Sequence, residues 1–249
     1  HWSAQCRPWR MRLPTRLRTV VARLSIGIWH RKRGHVMAVA GVVLVLLGAE
    51  STGKTWLADG LCHALAAEGH DAVQVPEYLR EFCDWHGRTP MAGEQAAIGQ
   101  EQTRRIAQAA GKHAIVIADT SALMTAVYSE SLFGDPGLLA PAISTQSSYA
   151  ATLLTALDLP WVADTHQRDG PGVRAQIDAR LRVTLIGAAL PFSVIHGQGE
   201  ARLAAALAAV RSMLHPARAD ESGPRWRWKC ATCDGDPGLR MAQGLVAAA

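Results

Sequence analysis

Aromatic side chains are scarce in this sequence, making up 6% of its 249 residues. The core must therefore be built from aliphatic residues and alanine, and an apolar fraction of 49% is enough for one. Acidic residues are absent from positions 1–36, which hold nine Lys and Arg, whereas the remainder holds 17 basic and 21 acidic residues. Because the excess positive charge lies at one end, the net charge of +5 does not predict nucleic-acid binding.

The sequence also lacks a long hydrophobic run and an ordered set of cysteines. Its longest apolar run, residues 36–47, is too short for a bilayer, which takes about 20 residues, so we predict no membrane association. The cysteines are odd in number and irregularly spaced, which argues against a disulfide framework and favours a cytoplasmic setting. They are Cys6, Cys62, Cys83, Cys230 and Cys233. The last two form half of a zinc motif without a second pair, so no structural zinc is predicted.

Composition divides the chain into three parts. Residues 1–36 form a basic N-terminal extension, for which we consider a targeting or membrane-surface arm, a segment that binds anions, and disordered or non-native sequence outside the folded domain. We favour the last interpretation, with Met37 as the natural start, because a strand motif follows it directly. Residues 37–216 form the predicted domain, and residues 217–249 a loosely ordered tail.

Strand and helix patterns alternate through the middle of the chain. Predicted strands are residues 38–47, 72–75, 114–118, 149–157 (whose composition also allows a helix) and 191–195. Predicted helices are residues 53–68, 93–110, 121–131, 174–185 and 200–214. This alternation indicates an α/β fold, a parallel sheet covered on both faces, with ligands bound beyond the carboxyl ends of its strands.

A phosphate-binding pattern follows the first strand. Residues 48–55, Gly-Ala-Glu-Ser-Thr-Gly-Lys-Thr, match G-x-x-x-x-G-K-[ST], the P-loop, in which backbone amides and a helix N-terminus surround a polyphosphate. Lys54 is expected to reach the outer phosphates and Thr55 to bind Mg²⁺. The expected ATP-binding residues are Gly48, Glu50, Ser51, Thr52, Gly53, Lys54, Thr55 and Trp56.

Further charged residues follow other strands. Asp119 ends a hydrophobic strand, where a carboxylate supports Mg²⁺ in P-loop proteins, although a helix N-cap would explain it as well. Glu77 follows the second strand, on the ligand side of the sheet, where it would orient or deprotonate an acceptor hydroxyl, the alternative being a surface charge. Arg168 and Arg174 lie in a polar stretch typical of an arginine-bearing lid. No guanine-reading N-K-x-D segment occurs, which argues against a GTPase.

Four segments in this order resemble the kinase domain of the NadR-type ribosylnicotinamide kinases, a P-loop, AAA-like family of NAD metabolism. They are residues 48–55, Val-Pro-Glu-Tyr-Leu-Arg-Glu at 75–81, Ile-Ala-Asp-Thr at 117–120 with Thr125, and Pro-Trp-Val-Ala-Asp-Thr-His-Gln-Arg at 160–168. The resemblance covers about residues 38–214, and the second and fourth segments are more specific than the P-loop. Thr165 departs from the family, whose lid often has Gly there.

The resemblance implies a three-layer P-loop fold like that of nucleoside and nucleotide kinases, with a small lid, and transfer of the ATP γ-phosphate to nicotinamide riboside. It implies catalytic roles for Lys54, Glu77, Asp119 and Arg168. Implied substrate contacts are Glu77, Tyr78, Arg80, Asp119, Trp161, Asp164 and Arg174. The expected cofactors are ATP and Mg²⁺, the latter at Thr55 and Asp119, and the expected partner is a small nucleoside, with a homo-oligomer left open. Two alternatives also stay open: a kinase for another nucleoside or nucleotide, and a regulatory P-loop ATPase without a small-molecule acceptor.

Overall fold

The computed structural model describes residues 41–162 and 171–214, so the predicted N-terminal extension, the tail and its two cysteines lie outside the described residues. The strands are β1 (Val42–Leu47), β2 (Ala72–Val75), β3 (Ile115–Asp119), β4 (Ala151–Thr155) and β5 (Ser193–Ile195). The helices are α1 (Lys54–Ala67), α2 (Tyr78–His86), α3 (Gln95–Ala110), α4 (Ala122–Phe133), α5 (Leu139–Gln146), α6 (Pro171–Gly187) and α7 (Gly199–Leu214).

All five strands run parallel in one sheet, in the order β2-β3-β1-β4-β5. The register sets Leu46 of β1 opposite Asp119 of β3, and Leu47 opposite Leu154 of β4. The carboxyl ends of these three strands are therefore level with one another. Loops that leave them meet at one edge of the sheet, which is where ligands bind in parallel α/β folds.

The two faces of the sheet are buried under separate helix layers. Val45 and Leu47 of β1 belong to the core with α3, α4 and α6, whereas Leu44 and Leu46 belong to the core with α1 and α7. All four side chains are fully buried, as expected for a central parallel strand whose successive residues point to opposite faces. The predicted three-layer α/β architecture is thus confirmed.

Two helices were not predicted from the sequence. No helix was predicted after Pro76, but the buried Phe82 and Cys83 pack one face of α2, a two-turn helix that ends at Gly87. Helix α5 contains Pro141, which usually breaks a helix, but this proline lies in the first turn, where no backbone donor is lost. Strand β4 is shorter than the predicted range 149–157, and the structure has a strand there rather than the helix that the composition also allowed.

Within the two described ranges, each helix falls short of the length or the apolar character that a membrane span requires.

Candidate functional site

The backbone of the loop between β1 and α1 has positive φ angles at three residues. The φ angles of Gly48, Ser51 and Gly53 are 152°, 51° and 75°, all in the region that favours glycine. A Cβ on Gly48 would lie 2.0 Å from Oγ1 of Thr155. The loop therefore needs glycine at its first position both for its backbone angle and for lack of space.

Hydroxyl groups support the loop from below. Oγ1 of Thr155, at the end of β4, lies 2.7 Å from Oγ1 of Thr52 and 3.1 Å from the carbonyl oxygen of Leu47. Thr52 in turn donates to the carbonyl oxygen of Ala49 at 2.8 Å. Both threonines are fully buried. Thr155 was not predicted from the sequence, because no motif marks it and its contact with the loop joins residues about a hundred positions apart.

The ammonium group of Lys54 lies over the loop. Its Nζ donates to the carbonyl oxygens of Gly48 at 2.9 Å and Ala49 at 3.1 Å. An ammonium has three N–H donors, so within the described residues one donor is left for a phosphate oxygen. Lys54 lines the cleft above the loop, which is the position that its predicted role requires.

Thr55 and Asp119 form a polar pair beside Lys54. Oγ1 of Thr55 donates to Oδ2 of Asp119 at 2.6 Å, a short distance typical of a hydroxyl bound to a carboxylate. Asp119 is only 1% exposed, and its other oxygen, Oδ1, is buried with no partner among the described residues. A buried carboxylate oxygen without a donor needs compensation, and this donor set of one hydroxyl and one carboxylate fits Mg²⁺, which keeps most of its waters.

No group of three or more His, Cys, Asp or Glu side chains in residues 41–162 and 171–214 is arranged to hold a metal by itself. The Thr55 and Asp119 pair accordingly fits an ion that arrives with phosphate and water ligands, rather than a closed protein cage.

The residue after Asp119 has a strained backbone. Thr120 has a φ of 85°, which is rare for a β-branched side chain. Its amide donates to the carbonyl oxygen of Leu46 at 3.1 Å, continuing the ladder between β1 and β3. Thr120 lines the cleft, and strain of this kind persists where the surrounding structure holds it, often at functional sites.

Glu77 lies across the cleft from the loop, at the start of α2. Its backbone is extended at the N-cap position, and its side chain is 13% exposed. Gln102 of α3 fixes this corner, since it accepts from the amide of Tyr78 at 2.8 Å and donates to the carbonyl oxygen of Pro76 at 3.3 Å. The half-exposed Arg80 lies 3.9 Å from Oε2 of Glu77. Both charged residues line the cleft.

Tyr78 lies elsewhere. Its ring packs beneath the guanidinium of Arg105, with Cζ 4.5 Å from the ring centroid, and meets the ring of Trp85 edge-on at 6.2 Å. It does not belong to the residues that line the cleft, so its predicted substrate contact stays a prediction for which the geometry gives only a backbone role.

The cleft has a volume of about 330 Å³. It is lined by Glu50, Ser51, Thr52, Gly53, Lys54, Thr55, Trp56, Glu77, Leu79, Arg80, Thr120, Met124, Thr125, Tyr128 and Val162. Two of the residues expected to contact the nucleotide differ in their exposure to solvent. Trp56 is 48% exposed, and Glu50 is buried with one carboxylate oxygen 3.5 Å from the hydroxyl of Tyr128. Met124 and Tyr128 were not predicted as site residues, because α4 carries no motif at these positions.

The described ends of the predicted lid are attached beside the loop. The hydroxyl of Ser51 donates to the carbonyl oxygen of Val162 at 2.5 Å, and Arg174 donates to that of Leu159 at 2.9 Å. Arg174 is only 7% exposed, and its Nε and second terminal nitrogen have no partner among the described residues. Buried N–H donors on a cation are costly, so this side chain is suited to bind an anion.

Trp161 has its indole nitrogen buried without a partner among the described residues, and it does not line the cleft. Asp164, a predicted substrate contact, and Arg168, a predicted catalytic residue of the lid, lie outside the described residues. The structure therefore brings the loop, Glu77 and Arg80 to one cleft and joins Asp119 to the loop through Thr55, while the roles of these residues and of the lid stay predictions.

A family model described as AAA domain matches residues 43–202. No curated protein matches the chain. Among solved structures, NadR protein in complex with NR is 21% identical, with a TM-score of 0.58 over 70% of this chain and 50% of that chain. NadR protein in complex with NAD and AMP-PNP is also 21% identical, with a TM-score of 0.57 over 76% and 52%.

A thymidylate kinase from Ehrlichia chaffeensis is 13% identical, with a TM-score of 0.50 over 70% of this chain and 100% of that chain. This chain spans about half the length of the two NadR structures. At these identities the similarity concerns the fold, and it confirms the predicted resemblance to an NadR-like P-loop kinase domain and the nucleoside and nucleotide kinase-like fold class.

Proposed function

The chain belongs to the AAA-domain family whose model spans residues 43–202. Within this family, we propose that it acts as an ATP-dependent kinase that phosphorylates nicotinamide riboside to nicotinamide mononucleotide. The observation that carries the proposal is the convergence of three strand ends on one cleft. The phosphate loop follows β1 and Glu77 follows β2, and both line the cleft, while Asp119 at the end of β3 is joined to the loop through Thr55, so a donor phosphate and an acceptor hydroxyl would meet between the loop and Glu77.

The donor side of the proposed reaction is the loop. Backbone amides of the loop and the start of α1 would bind the β- and γ-phosphates, and the ammonium of Lys54 would add a positive charge over the transferring group. Mg²⁺ held by Thr55 and Asp119 would supply further positive charge there. Positioning and charge account for most of the rate in phosphoryl transfer, since the protein forms no covalent bond to the substrate.

The acceptor side is the region around Glu77. Its carboxylate would accept the hydrogen bond of the acceptor hydroxyl and take its proton as the phosphorus–oxygen bond forms. Asp119 is less suited to this task, because one of its oxygens already accepts from Thr55 at 2.6 Å. Arg174 would bind negative charge on the donor and close the lid stretch against water.

The acceptor named here is supported by the motifs that resemble NadR-type kinases and by the fold of NadR protein solved with NR. The fold alone is also compatible with a nucleotide acceptor, since a thymidylate kinase shares it. The test must therefore compare acceptors rather than assume one.

A coupled assay of ADP release with a panel of nucleosides and nucleotides tests the proposal. We expect ATP consumption that depends on nicotinamide riboside, and loss of at least about 100-fold in rate for Lys54→Ala, which removes the charge over the transferring group. Lys112→Ala is the matched control, because Lys112 is an exposed lysine after α3, outside the cleft lining. Phosphorylation of another acceptor at a much higher kcat/KM, or slow hydrolysis that no acceptor accelerates, would overturn the assignment.

A further inference from the structure

A buried arginine lies directly beneath the phosphate loop. Arg202, in the first turn of α7, is 1% exposed, although arginine is seldom fully buried unless its charge is paired. One terminal nitrogen lies 2.5 Å from Oδ1 of Asp158 and 2.8 Å from the carbonyl oxygen of Gly197. The other donates to the carbonyl oxygens of Thr52 at 3.0 Å and Ala156 at 3.2 Å.

These contacts join three segments that are far apart in sequence. Thr52 belongs to the phosphate loop, Ala156 and Asp158 follow β4, and Gly197 lies in the turn between β5 and α7. Asp158 completes the connection, since its Oδ2 accepts from the amide of Gly197 at 2.7 Å. The planar fork of arginine can serve several acceptors at once, which a lysine ammonium does less well.

The contact with Thr52 bears directly on the backbone geometry of the phosphate loop. The carbonyl of Thr52 and the amide N–H of Gly53 belong to one planar trans peptide, in which the two groups point in opposite directions. The carbonyl is bound by Arg202, so the N–H of Gly53 points away from that guanidinium, and Gly53 itself lines the cleft. A phosphate in the cleft is the anion that this donor would meet.

We propose that Arg202 is a positioning residue for the nucleotide: by binding the carbonyl of Thr52, it aims the amide of Gly53 at the phosphates. Asp158 acts through Arg202, because it fixes the guanidinium and balances its buried charge. The inference rests on the proposed function for its ligand, a nucleoside triphosphate. A buried ion pair adds little stability compared with apolar packing of the same volume. The Arg202–Asp158 pair is therefore better explained by its effect on the orientation of the loop peptide than by a gain in stability.

Arg202→Lys tests the proposal, because it keeps a positive charge beside Asp158 but cannot serve both sets of acceptors. Binding of ATP and of inorganic tripolyphosphate is measured by isothermal titration calorimetry without any acceptor. We expect both dissociation constants to rise by about tenfold or more, since hydrogen bonds of charged groups have effects of this order. The KM for the acceptor should stay within about twofold of the wild-type value, because the changed contacts lie on the donor side.

Arg211→Lys is the matched control, since Arg211 lies on the same helix and pairs with Glu68 at the surface. It should leave both dissociation constants unchanged. A lower melting temperature of Arg202→Lys with unchanged affinity for ATP and tripolyphosphate would show a merely structural role and overturn the inference. If Arg202→Lys does not fold, Asp158→Asn carries the same test, with a smaller expected rise of about threefold to tenfold.

Weakening of ATP alone, with tripolyphosphate unaffected, would also overturn the inference, because it would place the effect at the base rather than at the phosphates. The binding assay separates this inference from the proposed function. A wild-type chain that binds ATP but phosphorylates no acceptor would refute the kinase assignment, while the affinities of the Arg202 variant would still decide the positioning role.

Discussion

Replacement of Gly48 by alanine tests the geometry of the phosphate loop most directly. The new Cβ would lie 2.0 Å from Oγ1 and 3.3 Å from Cβ of Thr155, and 3.1 Å from Oγ1 of Thr52. The first distance is far below a van der Waals contact, so the loop or Thr155 must move. Overpacking of this kind costs about 1–3 kcal/mol, and alanine at a φ of 152° adds a further cost of about 1–3 kcal/mol.

If about 2 kcal/mol of this total is expressed as displacement of the loop, the dissociation constant for ATP rises by about 30-fold. The measurement is titration calorimetry with ATP, accompanied by thermal melting. Gly69→Ala is the matched control. Gly69 also has a positive φ, of 87°, but no atom lies within 4 Å of its added Cβ. It should lower the melting temperature by a few degrees and leave ATP affinity unchanged.

A double-mutant cycle separates the steric cost from the backbone cost. Thr155→Ala removes the oxygen that the new Cβ meets at 2.0 Å, so in the Gly48→Ala background it should restore ATP affinity by about 1 kcal/mol or more, whereas alone it should weaken binding by loss of its hydroxyl contacts. Additive effects of the two substitutions would refute the reasoning, because they would mean that the two side chains do not collide.

Two further predictions concern carboxylates. Glu77→Gln should lower kcat by about 100-fold or more while the dissociation constant for ATP stays within about twofold of the wild-type value. The control is Glu81→Gln, because Glu81 pairs with Arg105 at 2.6 Å and lies outside the cleft lining. A change in ATP affinity alone would remove Glu77 from the acceptor site. Hydrogen bonds from Arg104 and Arg105 lower the pKa of Glu101 from 4.5 to about 2, so the contribution of Glu101 to stability is present above pH 4.5 and is lost as the pH falls towards 2. Between pH 6 and pH 3, urea unfolding should therefore show a smaller loss of unfolding free energy for Glu101→Gln than for wild type. Equal losses would contradict the assignment.

Much of the fold follows from local sequence patterns. The aliphatic run of β1 predicts a strand buried on both faces, and the pattern of residues 48–55 predicts the loop and the start of α1; the structure has each of them. Helices α2 and α5 were missed because both are short and lie close to a proline: α2 begins two residues after Pro76, and α5 has Pro141 in its first turn.

The parts of the site that escaped prediction depend on tertiary contacts. Thr155 and Arg202 touch the loop across about 100 and 150 positions, and neither lies in a pattern that would mark it. Tyr78 shows the opposite case: it lies in a telling motif, yet its ring packs on Arg105 away from the cleft. Motifs indicate which residue types belong to a site, but packing decides which of them face it.

The order of the strands has a consequence for how the molecule would fail on warming. β1 lies at the centre of the sheet, with a neighbour on each side, whereas β2 lies at an edge and contains only four residues. Core strands open at the highest free energies, so we expect the corner that carries Glu77 to detach while the loop after β1 still holds its nucleotide, as long as the other edge strand, β5, stays paired with β4. In the proposed enzyme, such a half-open state would bind ATP without presenting an acceptor. Water would then be the competing nucleophile, and futile hydrolysis would precede the loss of nucleotide binding.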